Sequence, residues 1–566
     1  MTTVETAESE ALAELLAAAE PSEPRRLGEL IERLEATSRL RTVRPAWAPG
    51  PAVTPAAAAS TVAAGGPDKG RGIGGLLVHG VTLDSRRVRA GSVFVAVPGG
   101  HADGHDYVAA AASLGAVAAV VERPVAGAAL PQIVVDDARR SLATLAAWWY
   151  GDPSRELGVV GITGTDGKTT TSFLAAGILR AAGVSSGMIT TAAATVGSLQ
   201  VANPEHVTTP ESPQLQRVLR AMVQAGNEAA IVETTSHGLA LSRVAEIAYD
   251  IAIFTNLSHE HLELHGTFEA YRDAKLSLFR RLGDGAAAKR LARPWPRVAI
   301  VNADDPAAPL FIEAARSAGA RVITYGETTP ADVRATAVVE GPRSMRIDVA
   351  TPRWSGGVEL SLAGRFNVYN ALAAIALGEA LELDEECVRL GLASVKGVPG
   401  RMERVDCGQP FGVIVDYAHS PASLQKVLEV LAPMAAAGGR GLIVVFGSAG
   451  ERDVQKRPMM GRVAGERCRV VVLADEDPRG EDREAILAEI AAGAEEAGRL
   501  LGRDLFCIPD RRAAIEAAFR HAAPGDIVLL AGKGHEQTII MGDGPLPWDE
   551  RSEAIRGLGS LGYRCE

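Results

Sequence analysis

The sequence predicts an α/β protein built on parallel sheets. Short apolar runs, such as residues 158–163, 251–254 and 442–446, alternate with Ala- and Leu-rich stretches that favour helices. Several runs consist almost entirely of Val, Ile and Leu, which is typical of strands buried on both faces of a sheet. Because ligands bind at the carboxyl ends of the strands in such sheets, we expect the functional residues to follow these runs directly.

Three domains and an N-terminal extension are expected. The length of 566 residues suits about three or four ordinary domains. Residues 1–75 contain two helix-like acidic stretches and then a segment rich in Ala, Pro and Gly, which we interpret as a partly disordered extension. Turn-rich breaks divide the rest into three domains, residues 76–150, 151–400 and 401–566.

Composition and charge exclude several classes of protein. Hydrophobic residues make up 47% of the chain, enough for sizeable cores. The net charge is −11 and aromatic residues are only 4%, which argues against a nucleic-acid or anionic-membrane binder. No apolar run reaches the roughly 18 residues of a membrane-spanning helix, and the acidic N-terminus does not resemble a signal peptide. The five cysteines are scattered without a CxxC pair, so we expect no disulfide framework and no structural zinc site, as suits a reducing cytoplasm.

The strongest motif is a phosphate-binding loop between a strand and a helix. It reads GITGTDGKTT over residues 161–170. The ordinary GxxxxGK[ST] spacing is not quite met, because Ile162 stands where the first glycine belongs, but the strand–loop–helix context is correct. Lys168 is expected to reach the β- and γ-phosphates, and Thr169 to offer its hydroxyl to Mg²⁺. The predicted nucleotide-binding residues of the loop are Gly164, Thr165, Asp166, Gly167, Lys168, Thr169 and Thr170.

Two further polar clusters follow apolar runs in the central region. Glu233 ends one run and can hold the Mg²⁺ of a nucleotide bound on the loop. The second cluster contains Glu260, His261 and His265 and predicts a further metal position, although a zinc site is the simpler alternative. Lys275 follows on a helical stretch, where a single lysine by itself indicates only a solvated charge.

The C-terminal region repeats the pattern of polar residues after apolar runs. The segments VDYAHSP, FGSAGERD, ADEDPRGED and AGKGHE each follow such a run, so they are expected along one rim of a sheet. The last two combine carboxylates with Arg479, Lys533 and His535. Such a lining suits a zwitterionic ligand.

Together these motifs resemble the Mur ligases, the ATP-dependent amino-acid ligases of peptidoglycan synthesis, and in particular the members that add the third amino acid. The resemblance runs from about residue 76 to the end of the chain. It implies an N-terminal UDP-sugar domain, a central P-loop-type ATPase domain and a C-terminal Rossmann-like domain. It also implies ATP and two Mg²⁺ ions as cofactors, and UDP-N-acetylmuramoyl-L-alanyl-D-glutamate and an amino acid as substrates. We expect a cytoplasmic monomer with no nucleic-acid or membrane partner.

The resemblance also implies roles for individual residues. Catalysis and metal binding fall to Lys168, Thr169, Glu233, His261 and Lys275, the last as a carbamate that helps to position a second Mg²⁺. Outside the loop, the residues expected at ATP are Asn302, Asp305, Asn367, Asn370 and Arg401. The residues expected at the UDP-sugar peptide are Ser85, Thr208, Thr209, Thr235 and Arg243. Those expected at the incoming amino acid are Arg452, Asp477, Arg479, Gly532 and Glu536.

Two departures from the family's motifs keep alternatives open. Asp166 replaces the usual Asn of the loop and places a carboxylate near phosphates, and Asp477 replaces the Asn of the DNPR-like segment. Arg479 persists and favours a second carboxylate on the incoming amino acid, hence meso-diaminopimelate over lysine. The alternatives are a folylpolyglutamate- or cyanophycin-synthetase-like ligase and a paralogue that binds nucleotide without turnover.

Overall fold

The fold is seen in a computed structural model of the chain. It describes residues 3–37, 39–44, 71–99, 102–203, 207–258, 262–284, 289–328, 330–341, 344–437 and 440–565. These residues form three α/β units, each around a sheet that is mainly parallel, as the sequence predicts. No helix in the described ranges is long and apolar enough to cross a membrane.

The N-terminal unit is built on a five-stranded sheet in the order β2-β7-β6-β5-β4. Strands β4 to β7 are parallel, and β2 joins the edge antiparallel to β7. Its strands are β2 (Leu40–Arg44), β4 (Gly80–Thr82), β5 (Ser92–Val95), β6 (Ala118–Val121) and β7 (Gln132–Val135), with a small pair of β1 (Arg25–Arg26) and β3 (Leu77–Val78) beside it. Its helices are α2 (Leu27–Ala36), α3 (Arg71–Gly74), α4 (Val108–Ser113) and α5 (Ala138–Trp149).

The N-terminal unit also includes residues that precede the predicted start at residue 76. Strand β2 is part of the sheet, and α2 buries Leu27, Leu30 and Leu34 in the same core as β5, β6 and β7. The apolar residues of α2 recur at intervals of three and four, so the helix has one apolar face, and the core of the sheet covers it. Residues 45–70, most of the segment predicted to be a linker, lie outside the described residues.

The first helix packs on the central unit instead. In α1 (Thr3–Ala18), Leu12 and Leu16 are buried in a core that includes Leu215 and Leu219 of α7 (Ser212–Gln224). The helix also packs against β11, the edge strand of the central sheet. The extension predicted over residues 1–75 is therefore divided between two units, as far as it is described.

The central unit contains an eleven-stranded sheet among the described residues, in the order β11-β10-β9-β12-β8-β13-β14-β15-β16-β17-β18. The seven strands from β9 to β16 in this order are parallel, and antiparallel strands extend the sheet at both edges. The strands are β8 (Gly158–Thr163), β9 (Ser186–Ile189), β10 (Ala193–Val196), β11 (Leu199–Ala202), β12 (Ala229–Glu233), β13 (Ile251–Phe254), β14 (Val298–Asn302), β15 (Arg321–Gly326), β16 (Val333–Glu340), β17 (Met345–Ala350) and β18 (Ser355–Leu360).

Helices cover both faces of this sheet. One core includes α6 (Lys168–Ala181), α12 (Phe366–Ala380) and α13 (Glu385–Ser394), the last packed against β18. The other core includes α7, α10 (Phe268–Arg280) and α11 (Ala308–Ser317). The short helices α8 (Ser236–Ala240) and α9 (Leu262–His265) lie between α7 and α10 in the sequence. Double coverage explains why β8, β12, β13 and β14 consist of buried residues only.

The C-terminal unit has a six-stranded sheet in the order β19-β20-β24-β21-β22-β23. All neighbours are parallel except β19, which runs antiparallel to β20. The strands are β19 (Glu403–Val405), β20 (Gly412–Asp416), β21 (Leu442–Phe446), β22 (Val470–Leu473), β23 (Leu505–Cys507) and β24 (Ile527–Ala531), followed by the hairpin of β25 (Thr538–Met541) and β26 (Gly544–Pro547). The helices are α14 (Pro421–Ala437), α15 (Lys456–Arg467), α16 (Arg483–Glu496), α17 (Arg511–His521) and α18 (Glu550–Ser560).

One disulfide bridge is present where the sequence predicts no disulfide framework. It joins Cys407, just after β19, to Cys565, just after α18, across 158 positions of sequence. Cys387, Cys468 and Cys507 are free. The spacing of cysteines in the sequence cannot reveal this pair, because only the packing of α18 against β19 brings the two ends of the unit together.

Candidate active site

A cavity of about 1030 Å³ lies between the central and C-terminal units. Its central side is formed at the carboxyl ends of the parallel strands β8, β12, β13 and β14, where the sequence predicts the functional residues. It brings together most of the residues expected at ATP and several of those expected at the peptide. The predicted residues that line it are Thr165, Asp166, Gly167, Lys168, Thr169, Thr170, Thr208, Glu233, Thr235, Asn302, Asp305, Asn367, Asn370 and Arg401.

The phosphate-binding loop joins β8 to α6 and depends on two glycines. Gly164 and Gly167 both have positive φ angles, of 151° and 84°. A Cβ atom on Gly164 would lie 1.9 Å from Oγ1 of Thr255, and one on Gly167 would lie 2.3 Å from Oδ1 of Asn370. Neither position therefore accepts a side chain, and the loop closes tightly against β13 and α12.

Backbone and side-chain hydrogen bonds from the end of β13 hold this loop in place. The backbone N–H of Asp166 donates to Oδ1 of Asn256 at 2.9 Å, and Nδ2 of Asn256 donates back to the Asp166 carbonyl at 3.1 Å. Oγ1 of Thr255 donates to the same carbonyl at 2.7 Å. The start of α6 is thereby fixed as a helix N-terminus facing the cavity, a geometry that favours anions.

Two lysines donate to backbone carbonyls of the loop. Nζ of Lys168 donates to the carbonyls of Gly164 (3.1 Å) and Thr165 (2.7 Å). Nζ of Lys275 donates to the Gly164 carbonyl at 2.7 Å and lies over the ring of Tyr271. Lys275 is 2% exposed and does not line the cavity, so in this arrangement its ammonium supports the loop through the Gly164 carbonyl.

Glu233 connects the phosphate loop to the loop expected at the peptide. Its buried carboxylate accepts from Oγ1 of Thr169 at 3.0 Å and from the backbone N–H and Oγ1 of Thr191 at 3.0 and 3.1 Å. The hydroxyl of Thr191 also lies 2.8 Å from that of Thr208. A carboxylate and a threonine hydroxyl side by side at the mouth of the loop are the oxygen ligands that Mg²⁺ prefers, so these residues fit that ion. His261, the third predicted metal ligand, lies outside the described residues.

The segment expected at the peptide is fixed around Thr209. Its Oγ1 donates to the Glu233 carbonyl at 2.9 Å and lies 3.0 Å from Oγ1 of Thr235. Arg243 donates to the Thr209 carbonyl at 3.0 Å and forms an ion pair with Glu211 at 2.7 Å. Thr208 and Thr235 face the cavity, whereas Arg243 holds the segment and does not line it.

The other residues expected at ATP form two small networks on the cavity wall. Asn302 donates to the Thr255 carbonyl at 2.8 Å, and Asp305 accepts from the backbone N–H groups of Leu257 and Ala307, each at 2.8 Å. Burial raises the pKa of Asp305, and these two donors only partly offset it.

On α12, Asn370 donates to Oδ1 of Asn367 at 2.9 Å and accepts from the hydroxyl of Thr171 at 3.3 Å. The α12 network thereby joins the start of α12 to the start of α6, and it fixes the wall of the cavity next to the phosphate loop.

Sequence reasoning missed several residues of this cavity. Asp304 accepts from the backbone N–H groups of Glu327 and Thr328 and from the hydroxyl of Tyr369. The VNADDP segment indicates Asp304, because Asp304 stands next to the predicted Asp305. Thr191 carried no signal, because it lies in an ordinary turn between β9 and β10.

Lys426 is the missed residue with the most direct contact to a predicted one. Its Nζ lies 2.6 Å from Oδ2 of Asp166, although it belongs to α14 of the C-terminal unit. Burial alone would raise the pKa of the Asp166 carboxyl. Neighbouring cations, Lys426 first among them, instead hold that pKa below its ordinary value.

The residues expected at the incoming amino acid form a separate cluster behind the cavity, at the ends of β22 and β24. Lys533, which is fully buried, pairs with Asp477 at 2.7 Å and with Glu536 at 2.5 Å. Burial alone would lower the pKa of Lys533, but the two carboxylates raise it above its ordinary value. Burial raises the pKa of Glu536, and the nearby ammonium only partly offsets this.

Two polar atoms of this cluster are buried without a hydrogen-bond partner in the described part of the chain. They are Oε2 of Glu476 and Nε of Arg479. Arg479 has a φ of 55°, an uncommon left-handed conformation, and its backbone N–H donates to the Ile540 carbonyl at 2.9 Å. Gly532, with a φ of 101°, lies beside the Glu476 side chain. A guanidinium edge and a carboxylate oxygen without partners suit a ligand that carries both charges.

Tyr417 lies between the cavity and this cluster. Its ring lines the cavity and packs under the guanidinium of Arg401, and its hydroxyl donates to Oε1 of Glu536 at 3.2 Å. The ring of His535 packs against the other side, 4.9 Å away. Burial and the nearby guanidinium of Arg401 lower the pKa of His535 to about 3, so its imidazole is neutral at ordinary pH.

Two predicted substrate residues, Ser85 and Arg452, lie neither at the cavity nor in the contacts described for this cluster. Ser85 belongs to the N-terminal unit, where it begins a short 3₁₀ turn capped by Asp84. Asp84 accepts from the backbone N–H of Arg86 at 3.0 Å, and the Arg86 guanidinium lowers the pKa of its carboxyl. Arg452 is exposed in the loop after β21. Neither residue lines the cavity.

Three family models match the chain, one for each unit. They are the "Mur ligase family, catalytic domain" over residues 77–150, the "Mur ligase middle domain" over residues 162–378 and the "Mur ligase, glutamate ligase domain" over residues 400–534.

Curated relatives match almost over their whole length. The UDP-N-acetylmuramyl-tripeptide synthetase of Roseiflexus sp. (strain RS-1) is 47% identical over 492 residues, covering 86% of this chain and 95% of the relative. The UDP-N-acetylmuramoyl-L-alanyl-D-glutamate–2,6-diaminopimelate ligase of Geobacillus kaustophilus (strain HTA426) is 41% identical, covering 85% of this chain and 94% of the relative.

Solved structures share the architecture. One UDP-N-acetylmuramoyl-L-alanyl-D-glutamate–2,6-diaminopimelate ligase is 30% identical with a TM-score of 0.58, covering 86% of this chain and 96% of that one. The MurF ligase from Thermotoga maritima in complex with ADP has a TM-score of 0.55 and covers 85% of this chain and 97% of that one. At 20% identity the second likeness concerns the fold alone.

Proposed function

The chain belongs to the Mur ligase family of ATP-dependent ligases that form peptide bonds in peptidoglycan precursors, and we propose that it adds the third amino acid to UDP-N-acetylmuramoyl-L-alanyl-D-glutamate. The observation that carries this proposal is the position of Glu233. Its carboxylate contacts Thr169 of the phosphate loop and, through Thr191, the hydroxyl of Thr208. A phosphate donor on one loop and a peptide carboxylate on the other would therefore meet at one point.

The chemistry needs activation of a carboxylate, which is a poor electrophile at neutral pH. Transfer of the γ-phosphoryl group of ATP to the peptide's terminal carboxylate gives an acyl phosphate and ADP. The neutral amine of the incoming amino acid then attacks the acyl carbon, and the tetrahedral intermediate collapses to an amide and phosphate. Lys168, which donates to the carbonyls of Gly164 and Thr165, is positioned to turn toward the β- and γ-phosphates.

Metal binding follows from the oxygen ligands of the site. Thr169 and Glu233 would hold Mg²⁺, with His261 added by the resemblance, and the ion would offset charge on the transferred phosphoryl group. We propose Lys275 as the carbamylated lysine of a second Mg²⁺ site. Its ammonium now donates to the Gly164 carbonyl, so as a carbamate the side chain would have to turn away from that oxygen.

We propose meso-diaminopimelate as the incoming amino acid. Asp477, which replaces the family's Asn, forms an ion pair with Lys533 and accepts from the backbone N–H of Ile540, so its carboxylate is held by partners within the protein. Nε of Arg479 has no partner in the described part of the chain, and a second ligand carboxylate would satisfy it. The alternatives are L-lysine and L-ornithine. We also propose a monomer acting in the cytoplasm, where ATP is at hand.

The test is phosphate release from ATP with UDP-N-acetylmuramoyl-L-alanyl-D-glutamate. It is run with meso-diaminopimelate, L-lysine, L-ornithine and no amine, with analysis of the product by mass. Turnover that depends on meso-diaminopimelate is the expected result. Turnover with another amine would reassign the pocket, and turnover only with a folate or another acid would favour a different ligase of the superfamily. Nucleotide binding without turnover on any substrate would identify a non-catalytic paralogue.

A further inference from the structure

Asp166 gives the phosphate loop a negative charge, and a lysine of the C-terminal unit balances that charge. The Asp166 carboxylate, in the centre of the loop, lies 2.6 Å from the ammonium of Lys426, which is 260 positions later in the sequence. Lys426 lies in the second turn of α14, on the C-terminal side of the cavity. Both side chains are about half exposed and both line the cavity.

The backbone of the loop fixes the position of Asp166 next to the phosphate site. The backbone of Asp166 is held by Asn256 and Thr255 through three hydrogen bonds. Gly167, which follows it, is confined by Asn370. An unbalanced carboxylate at this position would repel the phosphates of a nucleotide, because like charges a few ångströms apart repel and the site is partly shielded from water.

Lys426 is the cation best placed to remove this repulsion. Lys168 is already engaged with the carbonyls of Gly164 and Thr165, and it is the residue expected to bind the phosphates themselves. Lys426 makes its contact with Asp166 directly. Burial alone would raise the pKa of the Asp166 carboxyl, and among the neighbouring cations Lys426 contributes most to lowering it.

We propose that Lys426 is a positioning residue for nucleotide binding, which neutralises Asp166 from the C-terminal unit and thereby makes the acidic loop able to accept a polyphosphate. The proposal rests on the proposed use of ATP, but it assigns a role to a residue outside the predicted site. Since Lys426 belongs to a different unit from Asp166, the neutralisation exists only while the two units are together. Nucleotide therefore binds the closed arrangement in preference to an open one, and closure and nucleotide binding favour each other.

The test is a double-mutant cycle on nucleotide affinity, measured by calorimetry with the Mg²⁺ complex of the non-hydrolysable β,γ-methylene analogue of ATP. We expect Lys426→Ala to raise Kd about fivefold to tenfold, because it leaves the carboxylate unbalanced. Asp166→Asn should bind within about twofold of the wild type or more tightly. In the Asp166→Asn background, Lys426→Ala should have little further effect. Gln425→Ala, at the half-buried neighbouring position of α14, is the matched control.

The possible results separate the alternatives. An unchanged Kd for Lys426→Ala would overturn the proposal, and so would an equal loss of affinity in both backgrounds, since that would mean that Lys426 contacts the phosphates directly. Thermal unfolding of all variants without nucleotide detects any loss of folding. Failure of the wild type to bind the analogue would contradict the proposed function itself, whereas binding by the wild type and equal binding by Lys426→Ala contradicts only this inference.

Discussion

The phosphate loop and the amino-acid cluster are built from the same kinds of residue but distribute charge differently. Both lie at the carboxyl ends of parallel strands, and both combine glycines of positive φ with a lysine. In the loop, the lysines donate to neutral backbone carbonyls. In the cluster, Lys533 is already balanced by Asp477 and Glu536.

This difference indicates two kinds of binding. The loop presents a helix N-terminus, and Lys168 and Lys275 donate to its backbone carbonyls, so it is organised for an anion before the anion arrives. The cluster has its main charges paired and leaves single polar atoms of Glu476 and Arg479 without partners in the described residues. Loss of a residue that faces the phosphates in the loop should therefore slow the reaction itself, whereas changes in the cluster should alter which amine is used and how tightly it binds.

The largest expected effect is from Lys168→Ala. Loss of the cation that faces the transferred phosphoryl group should lower kcat/KM about 10³-fold in the phosphate-release assay. Thermal unfolding should change little, because Lys168 donates only to two carbonyls of its own loop. A variant that keeps about a tenth or more of the activity would contradict the view of the loop as the centre of the phosphoryl transfer.

Glu233→Gln should have the second-largest effect and lower kcat/KM about 10²-fold. The amide can still accept from Thr191, but it no longer offers a negative charge to Mg²⁺. Titration with Mg²⁺ should show a higher concentration needed for half-maximal rate. Thr144→Ser, in the N-terminal unit, serves as a control that should match the wild type, and an unshifted Mg²⁺ requirement in Glu233→Gln would show that this carboxylate does not hold the ion.

Arg479→Ala tests the amino-acid cluster instead of the phosphate loop. The KM for the amine should rise about 10- to 100-fold, as expected for losing a charged hydrogen bond, while the KM for ATP stays unchanged. Steady-state kinetics with each substrate varied in turn measures both. An equal rise in the two KM values would mean that the cluster and the loop form one site and not two.

The smallest expected effect is on pH dependence. The pKa of Glu536 is raised above 4.5 by burial, so this carboxylate takes up a proton at a higher pH than an ordinary glutamate, and the protonated form no longer attracts an ammonium group. The KM for the amine should therefore rise about threefold as the pH falls from neutral toward the mildly acidic range. The pKa of Asp166 is lowered, so the KM for ATP should stay flat over the same interval. Parallel profiles for the two substrates would contradict the assignment of Glu536.

Much of the central site could be predicted from the sequence because its residues follow strands directly. The loop at residues 164–170, Glu233 and Asn302 each stand at the end of an apolar run, and the parallel sheet necessarily brings such positions together. The carry-over of motifs from the family added Asn367 and Asn370, which lie on a helix and follow no strand.

The rest depended on tertiary contacts that no local pattern encodes. Lys426 is an ordinary solvated lysine in the sequence, and only the approach of α14 to the loop gives it a partner. Strand β2 contains two arginines and a threonine among its five residues, so its place in the N-terminal sheet was hidden. The periodicity of α2 was visible, but the Pro- and Gly-rich segment after it made the whole region look separate.

Helix α1 helps to protect the eleven-stranded sheet from pairing with the same sheet of another molecule. The eleven strands end at β11 on one side and β18 on the other, and an edge strand with free backbone groups can pair with the edge of another molecule. Helix α1 packs against β11, and α13 packs against β18. A segment that takes no part in the chemistry thus helps to keep copies of the protein from joining edge to edge in a crowded solution.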